Sequence, residues 1–272
     1  MKQFNWNNPY PTIRIPVFAR NVVSTSHPLA AQAGLRMLLK GGSAVDAVIA
    51  AAATIALVEP VSCGLGGDAF SIVWDGKTLQ GLNASGYAPQ AWNPDYFKNK
   101  YGVGPNGLAQ APKRGVDAIT VPGVVAGWAA LHERYGKLPF ADLMVPAIEI
   151  AERGYAVPPV VAQKWAAAVP ELKDQPGFAH TFMPNGRAPQ VGERFVFKDV
   201  AQTLRKIGAT KGRDLYEGET AEKLVAFIRA NGGAHTLEDF RQYRPDWVTP
   251  ISKNYRGYTL HEIPPNGQGI SA

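Results

Sequence analysis

An uninterrupted apolar run is the feature that most constrains this fold. Residues 47–58 contain no charged side chain and lie between Asp46 and Glu59. These 12 residues are well short of the roughly 20 that cross a bilayer. Ser43, with Asp46 three residues later, has the pattern of a capping box and predicts the start of a helix. Because this helix is apolar nearly all round, other elements must enclose it. We therefore expect a buried core helix and no membrane-spanning segment.

Length and composition predict a single globular domain over residues 1–272. Hydrophobic residues make up 46% of the 272 residues and charged residues 18%, which excludes intrinsic disorder. The single cysteine, Cys63, excludes an internal disulfide framework and a multi-cysteine zinc site. We expect no metal and no organic cofactor, and we expect a cytoplasmic location.

Charge and the first residues exclude two further classes of partner. The net charge of +6 is spread along the chain, and no basic arm or stripe is present. Nucleic-acid binding needs clustered cations, so no nucleic-acid partner is expected. Residues 1–16 are polar and aromatic, with no apolar stretch behind a charged start, so they do not read as a signal peptide. A membrane partner is not expected either.

The pattern of apolar residues, turn residues and glycine stops predicts an α+β fold. Helices are expected at residues 28–41, 43–58, 124–135, 140–153, 200–207, 221–230 and 237–243. Strands are expected at residues 69–74, 79–83 and 255–263. Asp75-Gly76 marks the turn between the first two strands.

Residues 64–69 match the pattern G-x-G-x-x-A of dinucleotide-binding loops, but the context is inverted. A phosphate-binding loop follows a strand and begins a helix, so that the helix N-terminus faces the pyrophosphate. Here a helix is expected before the glycines and a strand after them. A tight structural turn is the preferred interpretation.

No motif in the chain forms a self-contained catalytic site. Cys63 could act as a thiol nucleophile, although a buried structural cysteine is the simpler interpretation. No serine lies in a G-x-S-x-G elbow. The histidines show no i, i+4 pair for zinc and are more simply structural; they are His27, His132, His180, His235 and His261.

An ordered series of segments resembles the γ-glutamyltranspeptidase family of N-terminal nucleophile hydrolases, over nearly all of residues 20–272. The matching segments are 41–47, 58–60, 64–70, 121–123, 126–128, 134–136, 146–148, 215–218, 238–240 with Tyr243, 255–258 and 264–265. The resemblance implies a four-layer αββα sandwich, of which residues 1–272 form the large, N-terminal subunit portion.

The same resemblance implies how the catalytic group arises. A proenzyme cuts itself, and a threonine exposed at the start of the small C-terminal chain attacks an amide carbonyl, with its own α-amine as base. The family's cleavage site is not found in residues 1–272, so no catalytic residue is expected in this chain. The small subunit is the expected partner, and a dimer of such heterodimers is considered.

One departure from the family bears on the substrate. Members that act on γ-glutamyl compounds carry an arginine three residues before an Ala-Pro pair, where it clamps the substrate's α-carboxylate. Alignment on Ala88-Pro89 puts Ser85 at that position, and Tyr87 nearby is also neutral. Neither side chain replaces an always-charged bidentate guanidinium. Residues 266–268 (NGQ) replace the family's Pro-Ser-Ser.

Ser85 and Tyr87 are therefore the predicted substrate-binding residues, although they could also form a plain turn after a strand. The preferred substrate is a small acyl amide such as oxamate, as in the family's oxamate amidohydrolase of purine breakdown. One alternative is a true γ-glutamyl transferase or glutathione hydrolase, with Arg114 as a different carboxylate partner. Another is a non-catalytic subunit.

Overall fold

The computed structural model describes residues 18–271 and contains both helices and strands. The helices are α1 (Pro28–Leu39), α2 (Ala44–Val58), α3 (Pro94–Tyr101), α4 (Val124–Tyr135), α5 (Phe140–Arg153), α6 (Pro159–Leu172), α7 (Phe178–Phe182), α8 (Lys198–Thr210), α9 (Asp214–Glu217), α10 (Glu219–Ala230) and α11 (Leu237–Gln242). The strands are β1 (Ala69–Trp74), β2 (Leu79–Ala84), β3 (Tyr155–Ala156), β4 (Arg194–Phe195), β5 (Asp246–Val248), β6 (Ile251–Tyr255) and β7 (Tyr258–Glu262). The prediction that residues 1–16 are not a signal peptide concerns residues outside the described part of the chain.

The described residues form two compact units. The first contains the described residues up to Gly64 together with Lys137–Arg205, and the second contains Leu65–Gly136 together with the described residues from Lys206 onward. Within the described part, no helix is long and apolar enough to cross a membrane.

Helix α2 is the core of the first unit. Eleven of its fifteen residues are buried, which confirms the predicted core helix, although Val48 remains 52% exposed. It packs against α1 and α5. Gly34 allows the close approach of α1, because a Cβ there would lie 2.9 Å from the carbonyl oxygen of Ala47.

Asp46 joins the start of α2 to the segment before α5. Its carboxylate is fully buried and completes the predicted capping box by accepting the N–H of Ser43 at 2.7 Å. The same carboxylate accepts the N–H groups of Lys137 at 3.0 Å and Leu138 at 3.2 Å. A buried carboxylate with this many donors is stabilised despite the loss of hydration.

A three-stranded antiparallel sheet of order β1-β2-β5 organises the second unit. Helix α4 lies close to this sheet, because Gly127 has no side chain: a Cβ there would lie 2.7 Å from the Cβ of Ala84. The middle strand, β2, pairs with β1 along one edge and with β5 along the other. It ends at Ala84, immediately before Ser85.

The predicted strand at 255–263 is wrong as a single element. Residues 251–255 and 258–262 form an antiparallel hairpin instead. Arg256 and Gly257 both have positive φ, 52° and 86°, which is the requirement of a tight two-residue hairpin turn. The alternation in Tyr258–Glu262 correctly predicts the second strand of this hairpin, whereas the turn before it has no comparable pattern.

Four helices were not predicted from the sequence, namely α3, α6, α7 and α9. The start of α3 carries a recognisable signal, since Asn93 accepts the N–H of Tyr96 at 2.8 Å and Pro94 occupies the first turn. Helix α6 begins at Pro159, directly after Pro158, and contains Pro170 near its end.

Candidate active site

The loop after β2 positions the two predicted substrate-binding residues. Gly86, between Ser85 and Tyr87, has a φ of 85°, and a Cβ there would lie 2.0 Å from the carbonyl oxygen of Val121. Only glycine fits such an approach. The carbonyl of Tyr87 accepts the N–H of Val121 at 3.0 Å. The loop is therefore held in one conformation against the segment that precedes α4.

Ser85 belongs to a cluster of neutral polar side chains with Asn83 and Asn266. Asn266 Nδ2 donates to Ser85 Oγ at 3.0 Å, and Asn83 Nδ2 donates to Asn266 Oδ1 at 2.8 Å. Asn83 Oδ1 accepts the backbone N–H of Ser85 at 3.0 Å. These three residues bring the end of β2 and the segment after β7 together, and none of them carries a charge.

Tyr87 belongs to a second set of contacts beside this cluster. Its hydroxyl donates to Asp246 Oδ2 at 3.0 Å, and its ring makes an edge contact with the ring of Tyr243 at 5.0 Å between centroids. Gly86 N donates to the Tyr243 hydroxyl at 3.3 Å. Tyr87 is 44% exposed, so part of its ring is accessible to a ligand.

Both tyrosines remain protonated at neutral pH. Burial, together with the hydrogen bond and negative charge of Asp246, raises the pKa of Tyr87 above its ordinary value. Burial raises the pKa of Tyr243 to about 12, and the negative charges of Asp246 and Asp68 act in the same direction. The Tyr87 hydroxyl therefore acts as a donor to the carboxylate of Asp246.

The glycine-rich segment has the context expected of a structural turn. Helix α2 ends at Val58 before it and strand β1 begins at Ala69 after it. The carbonyl of Gly67 accepts the N–H groups of Gly123 at 3.0 Å and Val124 at 3.1 Å, at the start of α4. This carbonyl occupies donors that a bound phosphate would need.

The other candidates from the sequence have roles separate from the loop of residues 85–87. His27 Nδ1 accepts the N–H of Leu29 at the start of α1, and His235 Nε2 lies 2.7 Å from the carbonyl oxygen of Ile119. Burial lowers the pKa of both histidines, so both are neutral structural groups. Cys63 is exposed, contrary to the expectation of a buried cysteine. Arg114 is exposed in the loop before Val116–Ala118, and its role stays a prediction.

Metal binding finds no support in the described part of the chain, where no group of three or more His, Cys, Asp or Glu side chains could hold an ion.

Sequence reasoning missed Asp246 altogether. Its position in an unpredicted three-residue strand gave no local signal. Tyr243 belongs to a segment that resembles the family, and Asn266 to one that departs from it, but the sequence predicts neither as a neighbour of Ser85 and Tyr87.

Comparison with known proteins identifies the family. The model described as γ-glutamyltranspeptidase matches residues 30–272. A crystal structure of a cephalosporin acylase from Bacillus halodurans superposes with a TM-score of 0.91 and 46% identity, over 97% of this chain and 50% of that one.

Curated relatives agree with this match. The glutathione hydrolase-like YwrD proenzyme of Bacillus subtilis is 39% identical over 256 residues, which are 93% of this chain and 47% of the relative. The oxamate amidohydrolase proenzyme of Klebsiella pneumoniae is 35% identical over 252 residues, which are 90% of this chain and 46% of the relative. The chain thus spans about half the length of the curated relatives it matches. It belongs to the γ-glutamyltranspeptidase family, a family of enzymes with the α+β fold of N-terminal nucleophile hydrolases.

Proposed function

We propose that this chain is the N-terminal part of a self-cleaving amidohydrolase that acts on a small acyl amide, with oxamate as the first candidate. The observation that carries this proposal is the neutral cluster of Ser85, Asn83 and Asn266 where γ-glutamyl enzymes hold a carboxylate with arginine. A cephalosporin acylase and an oxamate amidohydrolase among the similar proteins support amide cleavage as the reaction class.

In this proposal the chain binds and orients the acyl group and does not supply the nucleophile. A threonine at the start of the C-terminal chain attacks the amide carbonyl, and its α-amine takes the hydroxyl proton. The amine part of the substrate then leaves and takes that proton from the threonine α-amine. Water finally hydrolyses the acyl-enzyme. The half-length coverage of proenzyme relatives supports a second chain from the same precursor.

The Asn83, Ser85 and Asn266 side chains offer amide and hydroxyl groups that suit a neutral amide or a short polar acyl group. Hydrogen bonds to such groups position a substrate without the strong charge attraction that an arginine gives. The loop of residues 85–87 is fixed by its contacts with Val121, so it forms a preorganised wall.

The alternative functions are a γ-glutamyl transferase or glutathione hydrolase, and a non-catalytic subunit. The first is supported by the relative named as glutathione hydrolase-like. It needs another cation for the α-carboxylate, and Arg114 is the residue to test. Conversion of oxamate compared with γ-glutamyl-p-nitroanilide by the processed precursor separates these functions. A kcat/KM that favours the γ-glutamyl compound would reject the small-amide proposal, and no turnover of either would favour the non-catalytic subunit.

Three further properties stay proposals: a role in purine breakdown, a cytoplasmic location, and an assembly of two heterodimers. Fractionation of cells that produce the precursor tests the location. Light scattering of the processed protein measures its mass in solution and so tests the assembly.

A further inference from the structure

Asp246 accepts a hydrogen bond from Tyr87 and has no part in the reaction proposed above. In the sheet it is the direct partner of Asn83, and directly opposed residues of antiparallel strands place their side chains on the same face, about 5 Å apart. Asn83 in turn contacts Ser85 and Asn266. Asp246 therefore adds a carboxylate to a wall that is otherwise made of neutral polar groups.

The hydrogen bond from Tyr87 to Asp246 also determines what Tyr87 can offer a ligand. The phenol has one proton to donate, and this proton is directed to Asp246 Oδ2 at 3.0 Å. A substrate carboxylate placed beside Tyr87 would have to compete with Asp246 for that proton. That carboxylate would face a lone pair of the phenol oxygen and the negative charge of Asp246. It would receive no hydrogen bond from Tyr87.

Asp246 is without an ion-pair partner among residues 18–271. Arg244, two positions away, directs one guanidinium nitrogen to the backbone carbonyls of Arg241 and Tyr243, at 2.7 Å each. Asp68 adds a second negative charge near Tyr243.

We propose that Asp246 is a specificity-determining residue, which excludes substrates that place a carboxylate beside Tyr87. This proposal rests on the proposed amidohydrolase function and refines its substrate class. The family's arginine would attract the α-carboxylate of a γ-glutamyl group at this wall, whereas Asp246 repels it. In oxamate the carboxylate is bonded directly to the reacting carbonyl carbon, so it does not extend to the same position.

The test uses two substrates that differ only in the α-carboxylate: γ-glutamyl-p-nitroanilide and 4-aminobutyryl-p-nitroanilide. We expect the processed wild-type enzyme to prefer the aminobutyryl compound by about tenfold in kcat/KM. In Asp246→Asn, which keeps an acceptor for Tyr87, the preference should fall by about tenfold. Asp246→Glu, which keeps the charge, should retain most of it. Asp174→Asn, at an exposed aspartate in the loop after α6, is the charge-matched control and should leave the preference unchanged.

Binding of L-glutamate and 4-aminobutyrate to the same proteins, measured by calorimetry, provides a readout that does not need turnover. If Asp246→Asn leaves both the kinetic preference and the relative affinity of the two acids unchanged, the proposal is wrong while the amidohydrolase function stands. If the wild-type enzyme hydrolyses no amide, the proposed function fails. The calorimetric comparison then decides the role of Asp246 by itself, and equal affinity ratios in wild type and variant would reject it.

Discussion

Asn266 and Ser85 are 181 residues apart in the sequence and are joined by a hydrogen bond of 3.0 Å from the side-chain amide to the hydroxyl. Asn83 holds both, because it donates to Asn266 and accepts the N–H of Ser85. The segment after β7 is thereby connected to the end of β2. The substrate-binding wall depends on both segments, and substitutions at each test different parts of it.

Replacing Asn266 should weaken substrate binding by releasing Ser85. Asn266→Ala removes a donor and an acceptor, and a hydrogen bond contributes roughly 1 kcal/mol, so we expect KM for the small amide to rise about fivefold. Steady-state kinetics of the processed enzyme measure this. Asn254→Ala, at an exposed asparagine in β6, is the control, and equal KM values for the two variants would contradict the role given to Asn266.

Ser85 and Tyr87 should themselves affect KM. Ser85→Ala removes the hydroxyl that Asn266 contacts, and Tyr87→Phe removes the donor to Asp246 while it keeps the ring against Tyr243. We expect each to raise KM for a small amide by about three- to tenfold. Unchanged kinetics for both variants would remove these residues from the site and favour a plain turn.

Asp46 should be a main determinant of stability in the first unit. Asp46→Ala would remove the carboxylate that accepts the N–H groups of Ser43, Lys137 and Leu138. Because hydrogen bonds to a charged group contribute about 1.5–3 kcal/mol, we expect a loss of about 3 kcal/mol in the free energy of unfolding. Ser43→Ala removes only the helix cap and should cost about 1 kcal/mol. Urea denaturation of both variants measures the difference, and an Asp46→Ala loss no larger than that of Ser43→Ala would contradict this account.

Asp117 should make part of the stability dependent on acid pH. Burial alone would raise its pKa, but hydrogen bonds from Lys100, Tyr101 and Tyr96 outweigh burial and hold the pKa below its ordinary value of 3.8. A carboxyl with a depressed pKa stabilises the folded state fully above its unfolded pKa. This contribution is lost as the pH falls through the folded value.

Unfolding curves between pH 6 and pH 2.5 therefore test the Asp117 cluster. We expect wild type to lose stability more steeply than Asp117→Asn below about pH 4, since the variant has no charge there to lose. Asp95→Asn, at an exposed aspartate in the first turn of α3, should follow the wild-type curve. Parallel curves for wild type and Asp117→Asn would show that the cluster does not contribute.

Local patterns sufficed to predict much of the framework. The capping box at Ser43 and Asp46 and the bounds of α4 and α5 follow from helix periodicity, caps and glycine stops, which act within a few residues. The Arg256-Gly257 turn was missed because arginine in a positive-φ conformation has no clear composition signal.

The candidate site was only partly predictable, for a physical reason. Ser85 and Tyr87 could be found from their register with a family motif, yet their partners Asn266 and Asp246 come from segments more than 150 positions later. Strand pairing and loop packing bring these segments together, and neither leaves a periodic signal in the sequence. The position of the Asp246 carboxylate beside Tyr87 is therefore known only from the structure.

The most direct test of the central claim is the amide turnover of residues 1–272 alone, compared with that of the processed precursor. The account predicts two bands for the active precursor on a denaturing gel, hydrolysis of a small amide by that pair of chains, and no hydrolysis by residues 1–272 alone. Turnover of any amide by the single chain would contradict it, because the reactive threonine would then not be needed.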